Sequence, residues 1–344
     1  MREASVSPDN PMTPPRPEPP RFDPAQNAWI LSRYADVCAA LRHPHLWPVG
    51  GKREIQSDAR DDAGRLLQRA DMLEALSASR IEIWRPDLEA LTHNALDHLP
   101  TSRAVDLLGE FTLPWGLSLG MLVTSADPAA ARRLSDLGSR VFAATGASRE
   151  ETELRADAAA ATAELDRIFK AGPIPMGEPA FVALSQTLPR LLAAAWLALV
   201  RHPDQFAWLR AHPAQLPGAV EELLRYAGIV RRVFRRATAN VDLGGVTIAA
   251  GDLVVLMLAS ANRDPEQFTD PDRLLLARPA AGHVALGMGR NSCVGAMVIR
   301  MAAAAATGAL AERFSEVQFH SVGDWRTGSG FCFPSSVFVT LHRS

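Results

Sequence analysis

The chain has 344 residues, 47% of them hydrophobic, which is ample for one large core or two smaller ones. Its formal net charge is −2, and its basic residues are scattered and all arginine apart from Lys52 and Lys170, which speaks against a nucleic-acid partner. Three widely spaced cysteines, Cys38, Cys293 and Cys332, fit a reducing cytoplasm better than a disulfide framework, and no run of about 18 uninterrupted apolar residues suggests a membrane span.

The segment 1–21 is proline-rich and polar, lacks the basic-then-apolar pattern of a signal sequence, and reads as a disordered tail ahead of a single domain at 22–344. A short strand is expected at 28–32 (Ala-Trp-Ile-Leu-Ser) and a helix from Tyr34 to Leu41. Residues 63–98 and 104–168 carry helical periodicity, interrupted at Thr101-Ser102 and Asp127-Pro128, and predict several packed helices. After a Pro/Gly-rich connection at 170–179, the segment Ala183-Leu184-Ser185-Gln186-Thr187 lies on an apolar helix. Pro189 removes one backbone bond of that helix and is expected to open a turn, leaving the Ser185 carbonyl free. Within Glu221-Glu222-Leu223-Leu224-Arg225-Tyr226, helical spacing puts Glu222 and Arg225 on one face. Strand residues flank a Gly244-Gly245 turn, and an apolar run follows from Leu253 to Leu258.

The run Leu286-Gly287-Met288-Gly289-Arg290-Asn291-Ser292-Cys293-Val294-Gly295 delivers one cysteine to the start of an alanine-rich helix. Unpaired amides and the helix dipole at such an end favour thiolate over thiol. Gly287, Gly289 and Gly295 let the backbone lie close against a flat ligand. A lone cysteine lacks the partners of a zinc or iron–sulfur site but suits a haem iron, which needs only one or two protein ligands.

From Pro217 to Phe314 the sequence resembles the bacterial soluble class of the cytochrome P450 family. Glu222 and Arg225 match its ExxR helix, Pro271-Asp272-Arg273 its meander, and the cysteine run its ligand loop. The resemblance implies a mainly α fold with small β-sheets, holding haem between a long distal helix and the helix after the cysteine loop. It implies haem b with Cys293 as the axial thiolate and metal ligand, framed by Gly287, Gly289 and Gly295. Arg65, Arg69, Arg235 and His283 fall at positions where relatives hold the haem carboxylates, and Arg273 falls where a third charge joins Glu222 and Arg225. Leu286 and Asn291 replace the loop's usual phenylalanine and its usual histidine or arginine. Binding of a haem carboxylate at Asn291 is therefore expected to be weakened, or moved to Arg290.

On the distal side Thr187 matches the family's threonine, which helps split the O–O bond. Gln186 replaces the acid before it, and Leu184 replaces a glycine that makes room for oxygen. Both Gln186 and Thr187 are therefore candidate catalytic residues, although an amide cannot relay a proton by ionising. The stretches at 45–64 and 170–187 are short for the family, so pocket enclosure is expected to differ. The implied function is a cytoplasmic monooxygenase acting on a small organic substrate with ferredoxin and ferredoxin reductase as electron donors, and with no nucleic acid or membrane. Peroxide-driven oxidation, a rearrangement or dehydration, or a degenerate haem-binding partner protein are the alternatives.

Overall fold

Apolar residues on every side of a helix place it inside a protein, and two helices here fit that description. They are Leu107–Thr124 and Gly177–Val200, and most of each is buried within the fold although their length and composition would suffice to cross a membrane. In the computed structural model, which describes residues 13–49, 59–145, 151–170, 172–174, 177–279, 282–328 and 330–344, these two helices form the centre. The side chains of 59–63, 65 and 66 lie outside the described residues, and the expected role of Arg65 lies there with them.

Aromatic stacking fixes how the central helices meet their neighbours. Phe111 stacks on Trp196 at 5.1 Å between ring centroids and on Trp115 at 6.1 Å. Each buried indole N–H finds an acceptor: Trp196 donates to Thr307 Oγ1 (3.1 Å) on helix Ala296–Arg313, and Trp115 donates to Thr92 Oγ1 (2.9 Å) on helix Arg85–Asp97. The two central helices touch at Gly116, where a Cβ would lie 2.2 Å from Pro189 Cγ and 2.8 Å from the Leu184 carbonyl oxygen. Gly116→Ala is therefore expected to push the distal helix aside at a cost of about 1–3 kcal/mol, read as a lowered thermal unfolding midpoint.

The sheets are small and peripheral. A five-stranded sheet runs Arg21–Asp23, Ala28–Leu31, Leu253–Leu256, Val233–Ala237, Leu46–Pro48, with the second and third strands parallel. Gly244 and Gly245 both have positive φ (61° and 85°), which a two-residue hairpin turn requires. The expected strand at 28–32, the helix after it (Tyr34–Arg42) and the Gly-Gly hairpin are all present. The span 63–98 divides into helices Ala59–Ala75, Ala78–Ile81 and Arg85–Asp97. The segment from 104 opens on a short strand, Val105–Asp106, instead of a helix. That strand joins Phe314–Val322 and Val337–Arg343 in a sheet beyond the elements expected from sequence.

Residues 1–12 of the expected tail lie outside the described residues. The remainder, expected to be disordered, is tied to the body: Ser32 Oγ accepts from the Glu18 amide (2.8 Å) and donates to the Glu18 carbonyl, Pro20 is buried, and Arg21 begins the first strand. The backbone bonds of the edge strand outweigh the proline-rich composition from about this point.

Candidate active site

A cavity of about 530 Å³ lies between the distal helix and the cysteine loop. Ala183, Leu184 and Thr187 line it from one side and Leu286, Gly287, Asn291 and Cys293 from the other, with Arg69 and Arg235 among its few polar walls. Of the expected site residues, Thr187, Arg69, Arg235, Gly287, Cys293 and Gly295 therefore converge on one space.

The loop that presents the sulfur is a tight turn closed by backbone bonds. The Cys293 amide donates to the Leu286 carbonyl (2.8 Å) and the Ser292 amide to the Gly289 carbonyl (3.0 Å). Gly287 and Gly289 both sit at φ 70°, a conformation L side chains rarely adopt. At Gly289 a Cβ would also approach the Leu41 carbonyl oxygen to 3.2 Å, so this glycine lets the loop pack on the first helix. Arg69 reaches in from helix Ala59–Ala75 and donates to the Ser292 carbonyl (2.5 Å). Arg290 turns outward to the Pro44 carbonyl (2.6 Å), so it does not replace a cation at position 291.

Burial pushes the Cys293 thiol up, against the Gly295 amide and the more distant charges of Arg69 and Arg300. Burial thus works against the expected preference for thiolate, and a bound metal cation would favour it.

Behind the loop, Glu222 and Arg225 form a bidentate pair (2.7 and 2.8 Å) with both side chains almost fully buried. The third charge is Arg278, whose Nε donates to Glu222 Oε1 (3.1 Å), and not Arg273. Arg273 is 71% exposed, and only its backbone carbonyl joins the cluster by accepting from Arg225. Arg225 also donates to the Asn262 carbonyl (2.7 Å), while Asn262 Oδ1 accepts from the Val284 amide (2.8 Å). Val284 in turn accepts from the Gly287 amide (2.9 Å), so an unbroken chain of bonds runs from the ion cluster into the cysteine loop.

His283 does not line the cavity; its Nε2 lies 3.0 Å from Glu221 Oε2, and Arg300 donates twice to the same carboxylate. This triad ties the ExxR helix, Leu216–Ala227, to the helix that follows Cys293. Burial pushes the Glu221 carboxyl up, yet the bonds from His283 and Arg300 outweigh it and hold the group at about 2. A depressed carboxylate stabilises the fold above its unfolded value and loses that contribution as pH falls through the folded one. The window is therefore from about 4.5 down to about 2. Partial solvent exposure of Arg300 screens the pair, so the contribution is on the order of 1–2 kcal/mol. Glu221→Gln is expected to remove that slope from urea-unfolding free energies measured between pH 5 and pH 2.5.

On the distal side the helix widens into a π-turn over Ala183–Thr187, where the Leu188 amide reaches the Ala183 carbonyl. Pro189 lies just beyond it, in the place the sequence suggested for an opened turn. Thr187 lines the cavity, as does Leu184. Gln186 does not: it is buried on the far side, where Arg190 donates to both its carbonyl (2.7 Å) and its Oε1 (3.1 Å). Sequence spacing gave no sign of Asn262, Arg278, Arg300 and Arg190 in these roles, because each acts across an irregular segment or along a helix face whose direction spacing alone leaves open.

A cavity-lining cysteine on a glycine turn, a charged cluster beneath it and a widened distal helix over an apolar cavity define a haem-thiolate oxygenase of mainly α fold. Residues 214–334 match the family model described as Cytochrome P450. The chain is 32% identical over 348 residues to Cytochrome P450 107B1 of Saccharopolyspora erythraea, covering 87% of this chain and 86% of that protein. It is 31% identical to the 20-oxo-5-O-mycaminosyltylactone 23-monooxygenase of Streptomyces fradiae, covering 83% and 76%. The crystal structure of CYP109B1 from Bacillus subtilis superimposes with a TM-score of 0.84 at 22% identity, covering 94% of this chain and 95% of that one. The chain belongs to the cytochrome P450 family and is a monooxygenase of that type, a family that binds haem through a cysteine thiolate.

Proposed function

We propose that this chain binds haem b, with Cys293 as the residue that would hold its iron, and inserts one oxygen atom into a small, largely apolar substrate. The observation that carries the reading is the cavity itself, in which one cysteine sulfur faces the widened turn of the distal helix. The residues fit the group: a single soft ligand, two guanidinium groups in the walls for two carboxylates, and apolar surface elsewhere. When bound, haem supplies the redox chemistry that splits dioxygen, to which a thiolate ligand donates electron density.

The protein's own residues do the rest. Arg69 and Arg235 hold the carboxylates, and Arg69 also pins the loop through Ser292. The Gly295 amide bonds the sulfur and tunes its donation. Ala183, Leu188 and Leu191 keep water from the reacting face, and the Thr187 hydroxyl handles the proton there. Each turnover takes two electrons and two protons with one dioxygen, leaving oxidised substrate and one water. The electrons come from a ferredoxin-type partner in the cytoplasm, and the substrate-binding body is a single domain that takes in the chain from about Glu18 onward.

Purified protein reconstituted with haem is expected to hold one haem per chain and to give the strongly red-shifted Soret band of a thiolate-ligated ferrous–CO complex. A haem-free preparation that cannot be reconstituted, or a CO band at the position of an imidazole-ligated haem, would sink the proposal.

A further inference from the structure

From Leu188 to Val200 every residue of the distal helix is buried except Arg190. Its guanidinium nevertheless lies inward, 4.1 Å from the centroid of Phe142 and 5.5 Å from that of Phe333. Phe142 comes from helix Ala131–Ala143 and Phe333 from the hairpin strand Phe331–Pro334. One guanidinium nitrogen donates to both the backbone carbonyl and the Oε1 of Gln186, one turn back. Among the described residues no carboxylate pairs with Arg190, and burial, with no charged neighbour contributing, pushes it down to about 10.

The amide it holds is equally constrained. Gln186 is 3% exposed, and a Cβ on Gly138 would lie 3.3 Å from its Nε2 and 3.3 Å from Ser185 Oγ. The glycine thus makes room for the amide behind the helix, away from the cavity that Thr187 lines. The arginine also supplies a side-chain donor to a carbonyl inside the π-turn, where the regular helix ladder is disturbed.

We propose that Arg190 is a positioning residue for the oxygenase reaction: by pinning the Gln186 amide behind the distal helix and capping its carbonyl, it fixes the widened turn that aims Thr187. Thr187 is the only hydroxyl among the described residues lining the cavity, so its aim governs where protons are delivered. The position before the threonine then serves as an anchor for the turn and contributes no proton of its own. This inference rests on the proposed oxygenase function.

The test needs no known substrate. With the haem-loaded protein, NADPH, a plant-type ferredoxin and its reductase, the share of consumed dioxygen that leaves as hydrogen peroxide is measured. Reduction to peroxide takes two electrons and two protons, and reduction to water takes four of each, so the share reports proton delivery. Arg190→Met is expected to change it at least twofold, and Arg190→Lys, which keeps a donor, to return it most of the way to wild type. A second readout is independent of oxygen chemistry: the losses in unfolding midpoint of Arg190→Met and Gln186→Leu should be less than additive in the double variant. Additive losses, or a peroxide share unmoved by Arg190→Met, would overturn the inference. If wild type reduces no dioxygen at all, the oxygenase reading fails and Arg190's role in it falls too, while the additivity result still reports whether the two side chains are coupled.

Discussion

Replacing Cys293 by alanine is expected to abolish the red-shifted ferrous–CO band and to lower oxygen-dependent turnover by at least about a thousandfold, as when a group on which the whole reaction depends is removed. No histidine, tyrosine or second cysteine is among the described residues lining the cavity, which leaves only the weaker, uncharged thioether of Met72 as another ligand type there. The other two cysteines, Cys38 and Cys332, are buried outside the cavity lining. Folding should survive, because the loop is closed by backbone bonds from the Cys293 and Ser292 amides that alanine preserves. Comparison of unfolding midpoints without haem checks that point. A red-shifted band surviving in Cys293→Ala would refute the ligand assignment outright.

The cysteine loop was legible in the sequence because its requirements are local. Two glycines at positive φ and a sulfur just ahead of a helix can be read from adjacent residues, without knowing which distant side chains hold the loop. The ExxR pair was legible for the same reason, since helical spacing alone brings Glu222 to Arg225. The third charge was not. Arg273 and Arg278 are both in irregular chain, and which of them turns inward depends on how residues 270–278 wrap, a matter of tertiary contacts such as the bonds from Arg278 to the Thr269 and Asp270 carbonyls.

Side-chain direction was the second limit. His283 precedes the cysteine loop and Gln186 precedes Thr187, but adjacency in sequence does not put two side chains on one face. His283 turns to Glu221, and Gln186 turns to Arg190, where each finds a hydrogen bond in otherwise apolar surroundings. The C-terminal sheet is a different kind of miss. Val337, Val339 and Leu341 are buried in strict alternation, a strand signal present in the sequence. Its partner Phe314–Val322 hides the same signal, because the pairing contains register shifts and the buried positions Phe314 and Val317 are three apart.

Those differences lead to the largest expected change in stability. Glu222→Ala leaves Arg225 and Arg278 facing each other in a buried site without their shared carboxylate, at a cost of about 3–5 kcal/mol. The Leu275 amide is left without its acceptor as well. For a chain of this size that corresponds to a fall in unfolding midpoint on the order of 4–7 °C. Two further variants separate the arginines. Arg278→Ala should cost about 1–3 kcal/mol through the buried partner it leaves, whereas Arg273→Ala should stay within about 0.5 kcal/mol because its side chain is in solvent. The reverse order would restore Arg273 as the third member. Haem affinity should follow the same ranking, because the bonds from Arg225 through Asn262 and Val284 to Gly287 carry the cluster's position into the cysteine loop. A Glu222→Ala protein that keeps wild-type haem affinity while losing stability would show that the cluster holds up the fold but does not set the loop.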